Sequence, residues 1–351
     1  MSTQRVAQGR RWSVMLAAGV LAVAGAAGLS VRAASADPVL PPLTPAELLT
    51  RVAQAQPAGL SATFEQRSDL GLPSLTSSGQ DSDDLSSALA LLTGDHTFRV
   101  WTAGADKSRV ALVDGSAETA AIRNGNDVWL WSSEKQQARH GTVTAEAKSS
   151  ATPVSPAEAV QKLLAAVEPD TNIAVSGTGT VAGRAVYQLV LTPKDDASLV
   201  GQVRVSVDAT DFVPLGAQVI ADDGSQALSV AATSVDFSVP DASVFTFTPP
   251  PGAEVKEITE PEPSTRPTTP DKADKPKTVG SGWTTVAVAK VDDTSLDQTT
   301  TALLNSLPEV SGSWGRGRLL STTLVNAVIT DDGRVAVGSV TPERLYAALA
   351  K

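Results

Sequence analysis

The stretches SRVALVDG (108–115), SAETAAIRNG (116–125) and NDVWLWS (126–132) follow one another without a break. Each holds a short run of β-branched, aromatic and other apolar residues, and each junction holds a turn former. Asn124-Gly125 suits a tight hairpin because both residues tolerate positive φ. The stretch therefore reads as three strands, 108–113, 117–123 and 127–132, joined as an antiparallel meander.

Working outward, the same grammar continues on both sides. Leu60, Ala62 and Phe64 alternate with Ser61, Thr63 and Glu65, which marks a half-buried strand. Further strands are expected at 96–102, 136–142, 172–176, 184–192, 200–208, 214–221 and 226–237, with Asp222-Asp223-Gly224 as a turn. Two helix starts interrupt the series. Thr44, Pro45 and Glu47 form a capping-box signature before Leu48, Leu49, Val52 and Ala55, and Ser155-Pro156-Ala157-Glu158 repeats it before Val160, Leu163, Leu164 and Val167. A third, short helix is expected at about 84–92, where Leu85, Ala88, Leu89 and Leu92 form a stripe flanked by polar loops. The expected fold class is α+β: a curved antiparallel sheet, an open half-barrel, wrapped around helices. Two amphipathic helices cover only part of so large a sheet, which points to a cavity on its concave face.

Both ends of the chain read differently. Arg10 and Arg11 precede an uncharged run from Trp12 to Val31, and Ala34-Ser35-Ala36 supplies small-residue spacing for cleavage. Residues 1–36 read as a secretory signal peptide, with an uncleaved membrane anchor as the alternative. The working location is then extracytoplasmic, secreted or tethered at the cell envelope. From Glu257 to Thr278 there are five prolines, nine charges and no aromatic residue, the composition of an extended linker. It separates a body at 37–256 from a small C-terminal α/β unit at 279–351, where Asp331-Asp332-Gly333 marks a hairpin and Thr341-Pro342-Glu343 a last helix.

Charge and chemistry narrow the function. Four of the 28 basic residues lie in the first 36 positions with no acid among them, leaving 24 against 38 acidic residues and a net charge of −14. So acidic a body repels phosphate backbones, which argues against nucleic acid. Cysteine is absent, which removes disulfides, thiolate metal sites and thiol nucleophiles. The two histidines, His96 and His140, come with no Gly-x-Ser-x-Gly elbow, Asp81, Asp83 and Asp84 complete no calcium loop, and the glycines at 177, 179 and 183 have the wrong spacing for a dinucleotide loop. No enzyme, metal or cofactor is expected. Trp101, Trp129 and Trp131 fall on neighbouring strands, as plain core or as one wall of an apolar ligand site.

Short structural motifs then carry a resemblance. The run from Gln202 to Asp208, the strand from Leu215, Val235-Asp236-Phe237, and the ending Val244-Phe245-Thr246-Phe247-Thr248-Pro249-Pro250-Pro251-Gly252-Ala253-Glu254-Val255 resemble the closing half of the LolA lipoprotein-carrier family. Phe64-Glu65-Gln66 after the first helix is similar to that family's beginning. Arg109 to Gly115 followed by Ile122 to Val128 is more similar to the RseB/MucB sigma-factor regulators, which share the carrier fold and add a smaller C-terminal domain. The resemblance implies a LolA-like sheet and a non-enzymatic binding protein holding a lipid, a lipoprotein acyl chain or another amphiphile, with peripheral membrane contact. The alternative it implies is a regulator gripping the extracytoplasmic part of a membrane-bound anti-sigma factor. The expected apolar lining is Phe64, Phe98, Leu112, Ile122, Trp129, Leu189 and Val205, with Leu85 and Leu89 from the short helix acting as a lid.

Overall fold

A computed structural model describes residues 40–71, 94–143, 156–258, 276–290, 304 and 306–350. The N-terminal segment, the stripe containing Leu85 and Leu89, and most of the linker lie outside the described residues.

The body is one twelve-stranded sheet: β1 (Gly59–Ser68), β2 (His96–Ala103), β3 (Lys107–Asp114), β4 (Ala117–Asn124), β5 (Asp127–Ser132), β6 (Gln137–Thr142), β7 (Thr171–Val181), β8 (Arg184–Pro193), β9 (Val200–Asp208), β10 (Pro214–Ala221), β11 (Gln226–Asp236) and β12 (Glu254–Glu257). Their spatial order is β12-β6-β5-β4-β3-β2-β1-β11-β10-β9-β8-β7. Two antiparallel meanders, β1 to β6 and β7 to β11, thus meet along β1 and β11, and the sheet stays open. Asn124 pairs with Asp127, so the expected hairpin turns on Gly125-Asn126, with Gly125 at φ 65°. One strand breaks the antiparallel rule: β12 pairs parallel to β6. It arrives there because the chain leaves β11 and crosses a face of the sheet, through a 3₁₀ turn at Ala242–Phe245, to reach the far edge.

Helix α1 (Pro45–Gln54) belongs to the β7–β9 side, and α2 (Pro156–Val167) packs against α1. The α1 cap forms as the sequence predicts. The Glu47 amide donates to the Thr44 hydroxyl at 3.2 Å, and the Thr44 amide donates back to the Glu47 carboxylate at 2.8 Å. That amide and the Thr44 hydroxyl hold the Glu47 carboxyl below its ordinary range. The stripe of α1 is then committed inward: Leu48 is fully buried with Tyr187, Leu189 and Val207, and Leu49, Val52 and Val205 pack around them. Val186, at the start of β8, belongs to a second cluster with Leu60, Ala62, Phe64 and Leu215.

A second sheet contains β13 (Lys277–Val279), β14 (Val286–Lys290), β15 (Glu309–Gly312), β16 (Gly315–Ser321), β17 (Asn326–Thr330) and β18 (Arg334–Gly338), ordered β13-β14-β18-β17-β16-β15. Helix α3 (Pro342–Leu349) covers one face, burying Leu345, Ala348 and Leu349 against Val286, Val328 and Ala336. This unit docks on the body. The Leu199 amide donates to the Ser339 carbonyl and the Thr341 amide to the Ala197 carbonyl, each at 3.0 Å, while the Trp283 indole donates to the Thr171 hydroxyl at 2.7 Å.

Candidate functional site

Side chains of a strand alternate between faces, and paired residues share a face, so the register assigns every position. Phe64 pairs with Phe98, and Phe98 with Leu112. In the other direction Phe64 pairs with Ala232, two residues from Val230, and the row continues through Ala217, Val205 and Leu189. Leu189 and Val205 lie under α1, so this is the helix face.

Along that face the two halves differ. Phe64 is buried, and Phe98 and Val110 pack against its cluster. Beyond Phe98 the row goes on through Val110 and Leu112 on β3, Ala121 on β4 and Val128 and Leu130 on β5, with Val110 opposite Ala121 and Ala121 opposite Leu130. All five are apolar and all are half-buried. The packing cluster that holds the α1 residues includes no residue of β2 to β6. Arg123 and Arg139 stand on the same face beside Val128 and Leu130, with the Arg123 Nε donating to the Gly125 carbonyl at 2.9 Å. The result is an apolar strip about three strands wide with basic side chains along its outer edge.

Ile122 and Trp129 do not join that strip. They pair with each other, and the row runs from Trp101 through Arg109, Ile122 and Trp129 to His140, one position out of phase with Leu112 and therefore on the opposite face. That face is closed by the segment descending from β11, which we call the strap. Ile122, Trp131, Ala111, Ala120 and Ala138 are buried beneath it, and Phe247 sits 5.4 Å from Trp129 and 5.6 Å from Trp131 between ring centroids. His140 stacks on Trp129 at 4.3 Å and lies between the carboxylates of Asp127 and Glu257. Trp129 and Trp131 are thus core on the strap face. Leu189 and Val205 are on the expected face, but α1 fills the space over them. Leu112 and Phe98 remain at the accessible strip, and Val110, Ala121, Val128 and Leu130 are the members that sequence reasoning missed. The turn held the signal: with Gly125-Asn126 as its centre, Ala121 falls opposite Leu130, and Trp129 goes to the other side.

The ionised groups with defined partners lie elsewhere. Asp208 is 1% exposed and accepts from Arg184 Nε at 2.5 Å and from the amides of Thr210 and Asp211. Burial pushes its carboxyl up, but Arg184 and the two amides outweigh that and hold it below the ordinary range. The Arg184 guanidinium also covers the Phe237 ring at 4.6 Å. This is a structural brace at the end of β8 and β9. Among the described residues no group of three or more His, Asp or Glu side chains is placed to hold a metal ion, and no helix is long and apolar enough to cross a membrane.

No protein-family model matches the sequence, and no curated protein matches it. Among solved structures, the chain is similar to MucB in the Pseudomonas aeruginosa MucA/MucB complex, with 13% identity and a TM-score of 0.45 over 87% of this chain and 96% of that one. It is similar to a LolA superfamily protein from Nitrosomonas europaea, with 12% identity and a TM-score of 0.23 over 59% of this chain and 99% of that one. It is also similar to an outer membrane lipoprotein-sorting protein domain from Vibrio parahaemolyticus, with 12% identity and a TM-score of 0.23 over 57% of this chain and 97% of that one.

Proposed function

We propose that the protein is an exported, non-enzymatic binding protein that holds the hydrocarbon chain of a lipid or lipoprotein on the helix face of its large sheet. The observation that carries this reading is the in-register row of Val110, Ala121 and Leu130, flanked on the same face by Leu112 and Val128, all half-buried and outside the cluster that α1 closes. Apolar side chains in such a row gain from covering: burial is worth about 25 cal/mol per Å2, or about 0.8 kcal/mol per methylene of a bound chain. No directional polar chemistry is needed, which agrees with the absence of a catalytic constellation in the sequence. The resemblance of 202–255 to the lipoprotein carriers points the same way.

A second reading takes the protein as a regulator that grips the extracytoplasmic part of an anti-sigma factor. The docking of the second sheet on the body favours it, because Trp283 on Thr171 and Arg344 on Asp195 at 2.7 Å join the two into one surface that a peptide can span.

Native mass spectrometry of the protein purified gently from its host envelope, followed by organic extraction, tests the first reading. A bound amphiphile of several hundred daltons is the expected result, and its loss from Leu112→Asp and Leu130→Asp variants with unchanged far-ultraviolet circular dichroism places it on the strip. A bare mass in the folded protein, or retention by both variants, overturns that reading. Capture of a single membrane-bound anti-sigma protein by the bare protein then establishes the second.

A further inference from the structure

The strap face carries a feature unrelated to the strip. Where β1 meets β2 and β11, a cleft of about 200 Å3 is lined by Ser61, Thr63, Trp101, Ser234 and Asp236, with the backbone of Ala62 and Val235 beneath. The register builds it: Ser61 lies between Trp101 and Asp236, and Thr63 between Arg99 and Ser234. Its aromatic wall is held in place. Arg109 stacks on Trp101 at 5.7 Å and is itself anchored by the Glu118 carboxylate at 2.8 Å and the Val244 carbonyl at 3.4 Å. Its floor offers the hydroxyls of Ser61, Thr63 and Ser234.

We propose that this cleft is a saccharide subsite that takes one ring of an uncharged glycan. The Trp101 indole offers an apolar plate for the C–H face of a sugar ring, while three hydroxyls and a carboxylate meet the ring's own hydroxyls. The cleft has no excess of charge to draw an ion: the Asp236 carboxylate, held below its ordinary range by the Ser238 amide and hydroxyl, is offset by Arg99 on the position paired with Thr63. Size selects too: the cleft is smaller than the roughly 300–1,000 Å3 of sites for drug-sized ligands, which leaves room for a single ring.

The test is a titration of the 15N-labelled protein with N,N′-diacetylchitobiose and, separately, with maltose, following the Trp101 indole N–H. A saturable shift with at least one sugar, at a dissociation constant on the order of 1 mM, is expected. A response to chitobiose alone identifies an N-acetylated wall glycan, and a response to maltose alone a neutral polysaccharide. The double variant Ser61→Ala with Ser234→Ala, which leaves the Trp101 wall intact, should weaken the response at least about tenfold, or 1.4 kcal/mol. The absence of a saturable shift with either sugar, or an equal affinity in the double variant, overturns the proposal. Leu112→Asp should leave the sugar response unchanged, so a failed strip and a failed cleft give separate results.

Discussion

The two halves of the large sheet spend their apolar surface in opposite ways. In β7 to β9 the helix face is sealed by α1, with Leu48 fully buried on Tyr187, Leu189 and Val207. In β3 to β6 it is the other face that is sealed, by the strap with Phe245 and Phe247, while Val110, Leu112 and Leu130 stay half-buried. The lesson is that a strip is left open only because another element takes over the stabilising work on the reverse side. Ile122, Trp131 and Ala138 supply the fully buried core of this region on its strap face.

Breaking the strap should have the largest effect. Phe245 is 2% exposed, and Phe245→Ala should cost about 3–5 kcal/mol, read by denaturant unfolding. Loss of the seal should also shift the emission of Trp129 and Trp131 to the red and raise amide exchange in β4 to β6 ahead of β7 to β9. Leu48→Ala is the matched change in the other half. It should cost about 2–5 kcal/mol and reverse that order of exchange. Equal loss of protection in both halves for both variants would show one cooperative unit instead of two differently sealed ones.

The Asp208 brace comes next. Asp208→Asn leaves Arg184, 32% exposed, with weaker partners, and should cost about 2 kcal/mol near neutral pH, below the usual figure for a fully buried pair because Arg184 reaches solvent. The sign with pH follows from the lowered carboxyl. Its contribution is fully present above the ordinary carboxylate value near pH 4 and is lost as the pH falls through the lower folded-state value. The stability gap between the wild type and Asp208→Asn should therefore close in acid. A gap that does not narrow as the pH is lowered would mean that the loss is one of packing and not of charge.

Much of this architecture is legible in the sequence, because period-two alternation and capping boxes are local signals. Phe64, Leu112 and Val205 could each be placed on a strand, and Thr44 and Glu47 at a helix start. What alternation alone does not carry is which face will be covered, and by what. Trp129 and Leu130 are equally good strand residues, and their fates separate only through the Gly125-Asn126 turn, which fixes the register with β4. The strap is harder still. Phe245-x-Phe247 and the prolines after it are recognisable as a motif, but their path over Trp129 and Trp131 depends on β11 lying beside β1, a pairing of residues as distant in sequence as Thr63 and Ser234. The parallel β12 follows from that same path.

The smallest expected change in stability is also the sharpest test of the contrast. Leu48 and Leu112 are the same residue on the same face, one sealed and one half-buried. Leu112→Ala leaves no closed cavity, so solvent fills the space and the cost should be about 1 kcal/mol, well short of the Leu48→Ala value. If the strip holds a hydrocarbon chain, the two variants should exchange rank when the readout becomes lipid retention: three lost carbons of contact at Leu112, at about 0.8 kcal/mol each, should weaken binding by one to two orders of magnitude, while Leu48→Ala leaves it nearly unchanged in protein that remains folded. A Leu112→Ala cost matching that of Leu48→Ala would show that the strip is as sealed as the helix-covered half, and the division between the two halves would fall.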